Sequence, residues 1–457
     1  MHLVDLALYA WVLVVLSLFA LLRPRHAVLA AYIGAWLFLP MYGIKIKVFP
    51  DLTKVTVTSM SVLLGAFLFD GARILSFRPR WFDIPMAVWC FCPFVTSIIN
   101  GLGSWDGGSA VIQNLVLWGF PYFTGRIYFS DWEGIRDLAM GLFIGGLIYV
   151  PFCLIEVKMS PQFHRWIYGY HQHQFAQTFR LGGWRPMVFM QHGLAVGMWM
   201  TTCTLVGIWL WMSKSLRELW GIPISYLVAT LLVTTVLCRS SSSMLLLLLG
   251  VAIIFWIYWF KNAIPLLCIM AAIPVYVLLR TAGDWSGDKL VTVAETILNE
   301  DRAQSLAHRL KAEDLLKQKA LWRPGFGWGR WNRSRVYDDK GKDVAVTDSL
   351  WVIALGTTGI VGLTSVTLAV LLPILLYRYR CPVQGWMHPM GAAGAAMAML
   401  LAFHMIDNLL NAMLNPIFIL AAGGLSAVGL TQQVARRPAY APSAVPQSTG
   451  RAIPAGH

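Results

Sequence analysis

Charge is what this chain has least of. Only 13% of its 457 residues are Asp, Glu, Lys or Arg, against 57% hydrophobic, which excludes an ordinary water-soluble domain, where about 25% are charged. Acidic residues are the scarcer sign, 22 against 36 Lys and Arg. Paired cysteines are absent. Cys153, Cys203, Cys238, Cys268 and Cys381 stand apart in or beside apolar runs, and Cys90 and Cys92 have a single residue between them, one too few for a zinc pair. All seven read as small hydrophobes. Polar and apolar residues do not alternate along runs such as 244–259, which excludes a transmembrane β-barrel. The N-terminus lacks a small-residue cleavage site, so 4–22 reads as a retained anchor. No internal repeat of the kind found in secondary transporters is visible.

What is present is apolar segments long enough to cross a hydrocarbon core of roughly 30 Å as helix. The expectation is an all-α integral membrane protein with about 12 to 13 transmembrane helices, at 4–22, 27–44, 55–71, 83–100, 109–125, 136–157, 188–212, 222–238, 243–260, 263–280, 349–376, 388–406 and 416–432. Alternation places Arg23, Arg25, Arg73, Arg78, Arg80, Arg126, Arg136, Lys214, Arg217, Lys261, Arg378, Arg380, Arg436 and Arg437 on one face, cytoplasmic by the positive-inside rule. Residues 1–280 then form the first helical block, with a smaller outer loop near 158–187. Residues 281–348 form a large extracytoplasmic loop, 349–432 the C-terminal helices, and 433–457 a disordered cytoplasmic tail rich in Pro, Ala and Ser. Lys45, Lys47 and Lys54 break the rule, being assigned outside. They are either tolerated in a short loop or attract an anionic ligand.

The large loop is a polar island. Between 282 and 348 lie 12 Lys/Arg and 11 Asp/Glu, two-fifths of all the charge in about a seventh of the length. Within it 303–321 reads as a helix along the membrane surface, with Leu306 and Leu310 on one face and Glu313 and Lys317 as an i,i+4 pair on another. The run Arg323-Pro324-Gly325-Phe326-Gly327-Trp328-Gly329 ends it and permits close backbone approach to a ligand. Asp348-Ser349 precedes the next span, where either residue suits a helix N-cap.

Several of these stretches carry a resemblance. Ser305-Leu306-Ala307-His308-Arg309, then Trp322 through Gly329, then Thr347-Asp348-Ser349-Leu350 running into Leu355-Gly356-Thr357-Thr358-Gly359-Ile360-Val361-Gly362-Leu363 resemble the O-antigen ligase and O-antigen polymerase superfamily. So do Cys238-Arg239-Ser240-Ser241-Ser242, Phe179-Arg180-Leu181-Gly182-Gly183-Trp184 and Gln191-His192-Gly193. The resemblance covers roughly 180–432. It implies a membrane glycosyltransferase that moves a glycan from a polyprenyl diphosphate carrier to a glycan or glycolipid acceptor, lipid A core or growing polysaccharide. The reaction would run at the outer face of the bacterial cytoplasmic membrane, facing the periplasm.

A departing polyprenyl diphosphate gathers negative charge, and guanidinium groups grip phosphate oxygens in a bidentate fork. The resemblance places Arg239 and Arg309 at the family's functional arginines, as candidate catalytic residues. For Arg239 the competing reading is a helix-end arginine reaching to the interface, for Arg309 a solvated helix face. Arg180 and Arg185 are further candidates for phosphate or sugar. The family's ligases usually carry a His at the end of the loop, often followed by Asn, where this chain has Asp348-Ser349. Asp348 is therefore the candidate general base, in competition with a plain capping role. His308 and His192 are alternative bases or substrate contacts. Asp407, in the polar cluster His404-Met405-Ile406-Asp407-Asn408-Leu409-Leu410-Asn411, is a candidate partner for an arginine or for the acceptor. The expected reaction uses no cofactor and no metal, since arginines can take the place of the cation. The expected partners are the lipid-linked donor, the acceptor and membrane lipid, with no nucleic acid. The readings from other classes are a transporter or flippase for a lipid-linked or anionic substrate, and a non-catalytic scaffold in exopolysaccharide assembly.

Overall fold

The computed structural model describes residues 3–46, 50–283, 285–297, 300–345 and 349–430. Among the described residues the chain is helical, with strand confined to three antiparallel pairs of two residues each. In chain order the helices are α1 (Leu3–Leu21), α2 (Pro24–Phe38), α3 (Lys54–Leu75), α4 (Ile84–Ile99), α5 (Ser104–Asn114), α6 (Phe120–Tyr128), α7 (Trp132–Met159), α8 (Phe163–Tyr168), α9 (Gly193–Met212), α10 (Ile224–Leu237), α11 (Ser241–Phe260), α12 (Ile264–Thr281), α13 (Asp288–Ile297), α14 (Glu300–Ala320), α15 (Trp331–Ser334), α16 (Leu350–Arg380), α17 (Ala392–Asn408) and α18 (Pro416–Leu425). The pairs are β1–β2 (Gly43–Ile44, Leu52–Thr53), β3–β4 (Phe179–Arg180, Gly183–Trp184) and β5–β6 (Glu218–Leu219, Ile222–Pro223).

Among the described residues eight helical segments are long and apolar enough to cross a membrane: α1, α3, Trp81–Ile99 containing α4, α7, α9, α11, α12 and α16. This is a multi-pass membrane protein. The count is below the thirteen expected because several apolar runs are cut short. Pro40 follows α2, and a residue before proline is pushed out of helical geometry, so α2 ends at Phe38. The 109–125 run bulges into a π turn at Leu115–Gly119 just ahead of Pro121, a usual way for helix to absorb a missing N–H. The helices α10, α17 and α18 are apolar but shorter. Buriedness sorts the bundle: α9 is 94% buried, α1 and α12 only 22%. The core is α9 with α17 and α18, and α17 approaches its neighbours through the small-residue run Ala392–Ala396, the close packing that stabilises helices where lipid is as apolar as leucine.

The long helix α16 is broken at Gly359, whose φ is +68°. The glycine-rich run after α14 fills the break. Trp328 and Gly329 donate backbone N–H bonds to Gly356 and Thr357 (2.8 and 3.0 Å), and Ile360 donates to Pro324 (2.7 Å). A Cβ at Gly359 would overlap the Gly325 carbonyl, and one at Gly327 would lie 2.6 Å from the Thr357 carbonyl carbon. These glycines therefore serve close approach to α16, where a ligand was expected. Backbone groups that the break frees from the helix are met by this run, as burial in a membrane protein requires.

Two buried carboxylates fasten the loops to the bundle. Glu156, near the end of α7, accepts N–H bonds from Phe163, Met187 and Val188 at 3.0, 2.9 and 2.8 Å, and so closes the segment that follows α7 at both ends. Glu313 on α14 is fully buried. It receives bonds from Tyr276 (2.8 Å), Trp351 (3.1 Å) and the Ser349 hydroxyl, and pairs with the equally buried Arg280 of α12 at 3.4 Å. The expected Glu313–Lys317 surface pair is not formed. Lys317 pairs with Asp314 at 3.3 Å, and α14 packs its Leu310, Ala312, Leu316 and Ala320 inward rather than lying free on a surface. Burial pushes the Glu313 carboxyl above its usual range, against the bonds from Ser349 and Tyr276 and the charge of Arg280.

Candidate functional site

Four arginines from three segments meet at the end of the bundle where α7, α10, α12 and α17 finish and α9, α11 and α16 begin. Each is positioned by a local feature. The β3–β4 hairpin turns through Leu181 and Gly182, both with positive φ (+50° and +72°), a two-residue turn of the kind that suits strand twist. This puts Arg180 on the hairpin and Arg185 just past it. Arg239 occupies the break between α10 and α11 with φ +50°, a left-handed conformation costing about 1–2 kcal/mol. That turn carries its guanidinium to the hairpin, where it donates to the Leu181 carbonyl at 2.6 Å and lies across Gly183, at which a Cβ would overlap it. Arg185 is 4% exposed and runs over the first turn of α9, its Cδ 2.6 Å from where a Cβ of Gly193 would be. Arg309, on α14, donates to the Leu410 carbonyl (3.1 Å) and to Asn411 Oδ1 (2.8 Å).

Arg185 and Arg309 face each other across a cavity of about 200 Å3, also lined by Ser241, Ser242 and Asn411. No ion pair among the described residues involves Arg180, Arg239 or Arg309. The concentration of positive charge is read directly by His192, the N-cap of α9. Burial first, then Arg185, His173, Arg309 and Arg180, push it down to about 3. Its Nδ1 accepts the Leu194 N–H at 3.0 Å, so the neutral ring carries its proton on Nε2. His192 is thus a fixed hydrogen-bond donor. As a general base it is excluded, because the nitrogen left to face a substrate already holds the proton.

The other expected site residues fall out as follows. Asp407 does not touch an arginine; it accepts from Asn411 Nδ2 at 2.9 Å, and Asn411 in turn holds Arg309. His308 is exposed and does not line the cavity. Asp348 lies outside the described residues. The N-cap of α16 is Ser349, whose hydroxyl turns to Glu313 instead of capping the helix. Ser241, Ser242 and Asn411 were not singled out from the sequence as site residues. The first two stand inside a motif recognised for Arg239, and Asn411 inside the cluster recognised for Asp407, so neighbourhood was the available signal. Among the described residues no group of three or more His, Cys, Asp or Glu side chains could hold a metal ion.

Comparison with known proteins adds no assignment: no family model matches this chain, and no curated protein matches it.

Proposed function

We propose that the protein is a membrane glycosyltransferase of the O-antigen ligase and polymerase type, in the cytoplasmic membrane of a bacterium with its site facing the periplasm. One observation carries the reading. Arg180, Arg185, Arg239 and Arg309 converge from three segments of a membrane protein, and such a cluster of guanidinium groups suits a diphosphate arriving from the lipid. In this reading the arginines hold the diphosphate and the His192 Nε2–H donates to one of its oxygens or to the first sugar. The bond from the anomeric carbon to the diphosphate oxygen breaks as that carbon bonds to an acceptor hydroxyl oxygen. Polyprenyl diphosphate leaves with both electrons of the broken bond, stabilised by cations already in place. The hydroxyl proton passes to a base, for which Asp348 is the candidate, with Ser349 beside it held by Glu313.

A transporter is the second reading, because a helix broken in mid-course, as α16 is at Gly359, is a transporter feature. Against it, the groups freed at that break are occupied by the chain's own 324–329 run.

The test is transfer from a polyprenyl diphosphate glycan by purified protein. Arg309→Ala and Arg239→Ala should each lose transfer by roughly 10²–10³, the cost of one transition-state charge contact, and Arg→Lys should recover part. Full activity in both alanine variants would sink the reading. Reporter fusions at Gly341 and after Arg437 should report opposite sides of the membrane.

A further inference from the structure

A second cavity is tied to the arginine cavity through the chain, consecutive residues lining the two. Gln191 and Ala412 line it, and their chain neighbours are His192, beside the arginines, and Asn411, which lines the first cavity. The far wall is Trp36 with Thr53 and Lys54. The volume is about 340 Å3, within the range of small-molecule sites, roughly 300–1,000 Å3.

Two lining residues, Lys54 and Trp36, bring buried donors to it. Lys54 is 3% exposed. Its Nζ donates to the Trp36 and Phe189 carbonyls, both at 3.2 Å, and lies 4.6 Å from the centroid of the Trp36 ring. An anion beside it would hold the amine as ammonium, which has a third N–H for that anion. No carboxylate pairs with Lys54 among the described residues, and a buried charge without a counter-charge is costly. Trp36 is 5% exposed, and its indole N–H is buried with no partner among the described residues. A buried donor left unmade is likewise costly. The ligand that answers these groups has adjacent acceptor oxygens and one negative charge.

We propose that this cavity is a subsite for a carboxylate-bearing sugar of the glycan, with the carboxylate oxygens on Lys54 Nζ and Trp36 Nε1 and the sugar hydroxyls on Gln191. The proposal rests on the glycan-transfer reading and deepens it. A phosphate is the poorer fit, because one ammonium N–H and one indole N–H match the two oxygens of a carboxylate, and the diphosphate has the arginines next door. Asn411 in the first cavity and Ala412 in the second are neighbours in the chain, which sets a sugar here beside a glycan whose diphosphate sits on Arg309. The same placement gives Lys54, a lysine that breaks the charge bias of the loops, a ligand to serve.

The experiment is binding of sodium glucuronate and of glucose to the purified full chain in detergent, followed by ligand-observed NMR. Glucuronate should bind at least tenfold more tightly than glucose. Lys54→Gln and Trp36→Phe should each weaken glucuronate by roughly tenfold, the worth of one charge-assisted or buried hydrogen bond, and Arg309→Ala should leave it unchanged. Equal binding of glucuronate and glucose by the wild type overturns the proposal, as does unchanged glucuronate affinity in Lys54→Gln. Inorganic phosphate competing more strongly than glucuronate overturns the carboxylate assignment. Should Lys54→Gln fail to fold, the wild-type comparison and Trp36→Phe still decide. Binding of a polyprenyl diphosphate, measured in parallel, separates the two claims: its absence sinks the transfer reading, whereas loss of the glucuronate preference alone sinks the subsite.

Discussion

Arg239 sits in a left-handed break between two helices and donates to the carbonyl of Leu181, 58 residues earlier, at 2.6 Å. The pairing locks a hairpin tip to the α10–α11 junction and holds one guanidinium flat against Gly183. A substitution at Gly183 therefore tests Arg239 without touching it. Gly183→Ala would drive a methyl into the guanidinium, and transfer should fall by roughly tenfold to a hundredfold, the worth of a displaced charged hydrogen bond. Protein yield and melting temperature should change little. Normal transfer by Gly183→Ala would show that the position of Arg239 does not matter.

His192 makes a prediction about pH. Its folded value of about 3 lies below the ordinary histidine value of 6.5, so the unfolded chain binds a proton that the folded protein refuses. Stability from this residue is complete above pH 6.5 and is lost as pH falls from there towards 3, by at most about 1.4 kcal/mol per unit. His192→Asn keeps an acceptor for the Leu194 N–H and carries no titrating ring. The variant should melt with a shallower dependence on pH between 6.5 and 4 than the wild type. The transfer rate of the wild type should show no limb from His192 between pH 5 and 8. A limb in that range that disappears in His192→Asn would restore the histidine as a base.

The Arg280–Glu313 pair joins the last long helix before the loop to the loop helix itself. Arg280→Ala leaves the Glu313 carboxyl buried without its counter-charge, and loss of one partner from such a pair costs about 3–5 kcal/mol. Arg280→Lys, which keeps a positive charge beside the carboxylate, should be the more stable protein. Thermal unfolding in detergent measures both. Arg280→Lys no more stable than Arg280→Ala would mean that the pair is not the joint.

Asp348 is tested by the difference between Asn and His. If it takes the acceptor proton, Asp348→Asn should lower transfer by roughly 10²–10⁴ with an unchanged melting temperature, and Asp348→His should keep more activity than Asp348→Asn. Full activity in Asp348→Asn would remove Asp348 from the mechanism.

The sequence by itself settled the class of this protein, because scarcity of charge and the length of apolar runs are properties of composition that no fold can reverse. It also located the helix at 303–321 to within a turn, and it marked the arginines through the motifs around them. What it could not decide was partners. Glu313 reads as half of an i,i+4 surface pair, and only the packing of α14 against α12 and α16 turned it inward to Arg280, 33 residues away. The glycines from Gly325 to Gly329 read as a ligand loop until the break at Gly359 supplied the surface they fit. His192 could be a base or a donor on sequence grounds, and one N–H, that of Leu194, chose the nitrogen that keeps the proton. Composition and periodicity are local, whereas the ionisation and reach of a buried polar group are set by neighbours distant in the chain, and those exist only once the helices have packed.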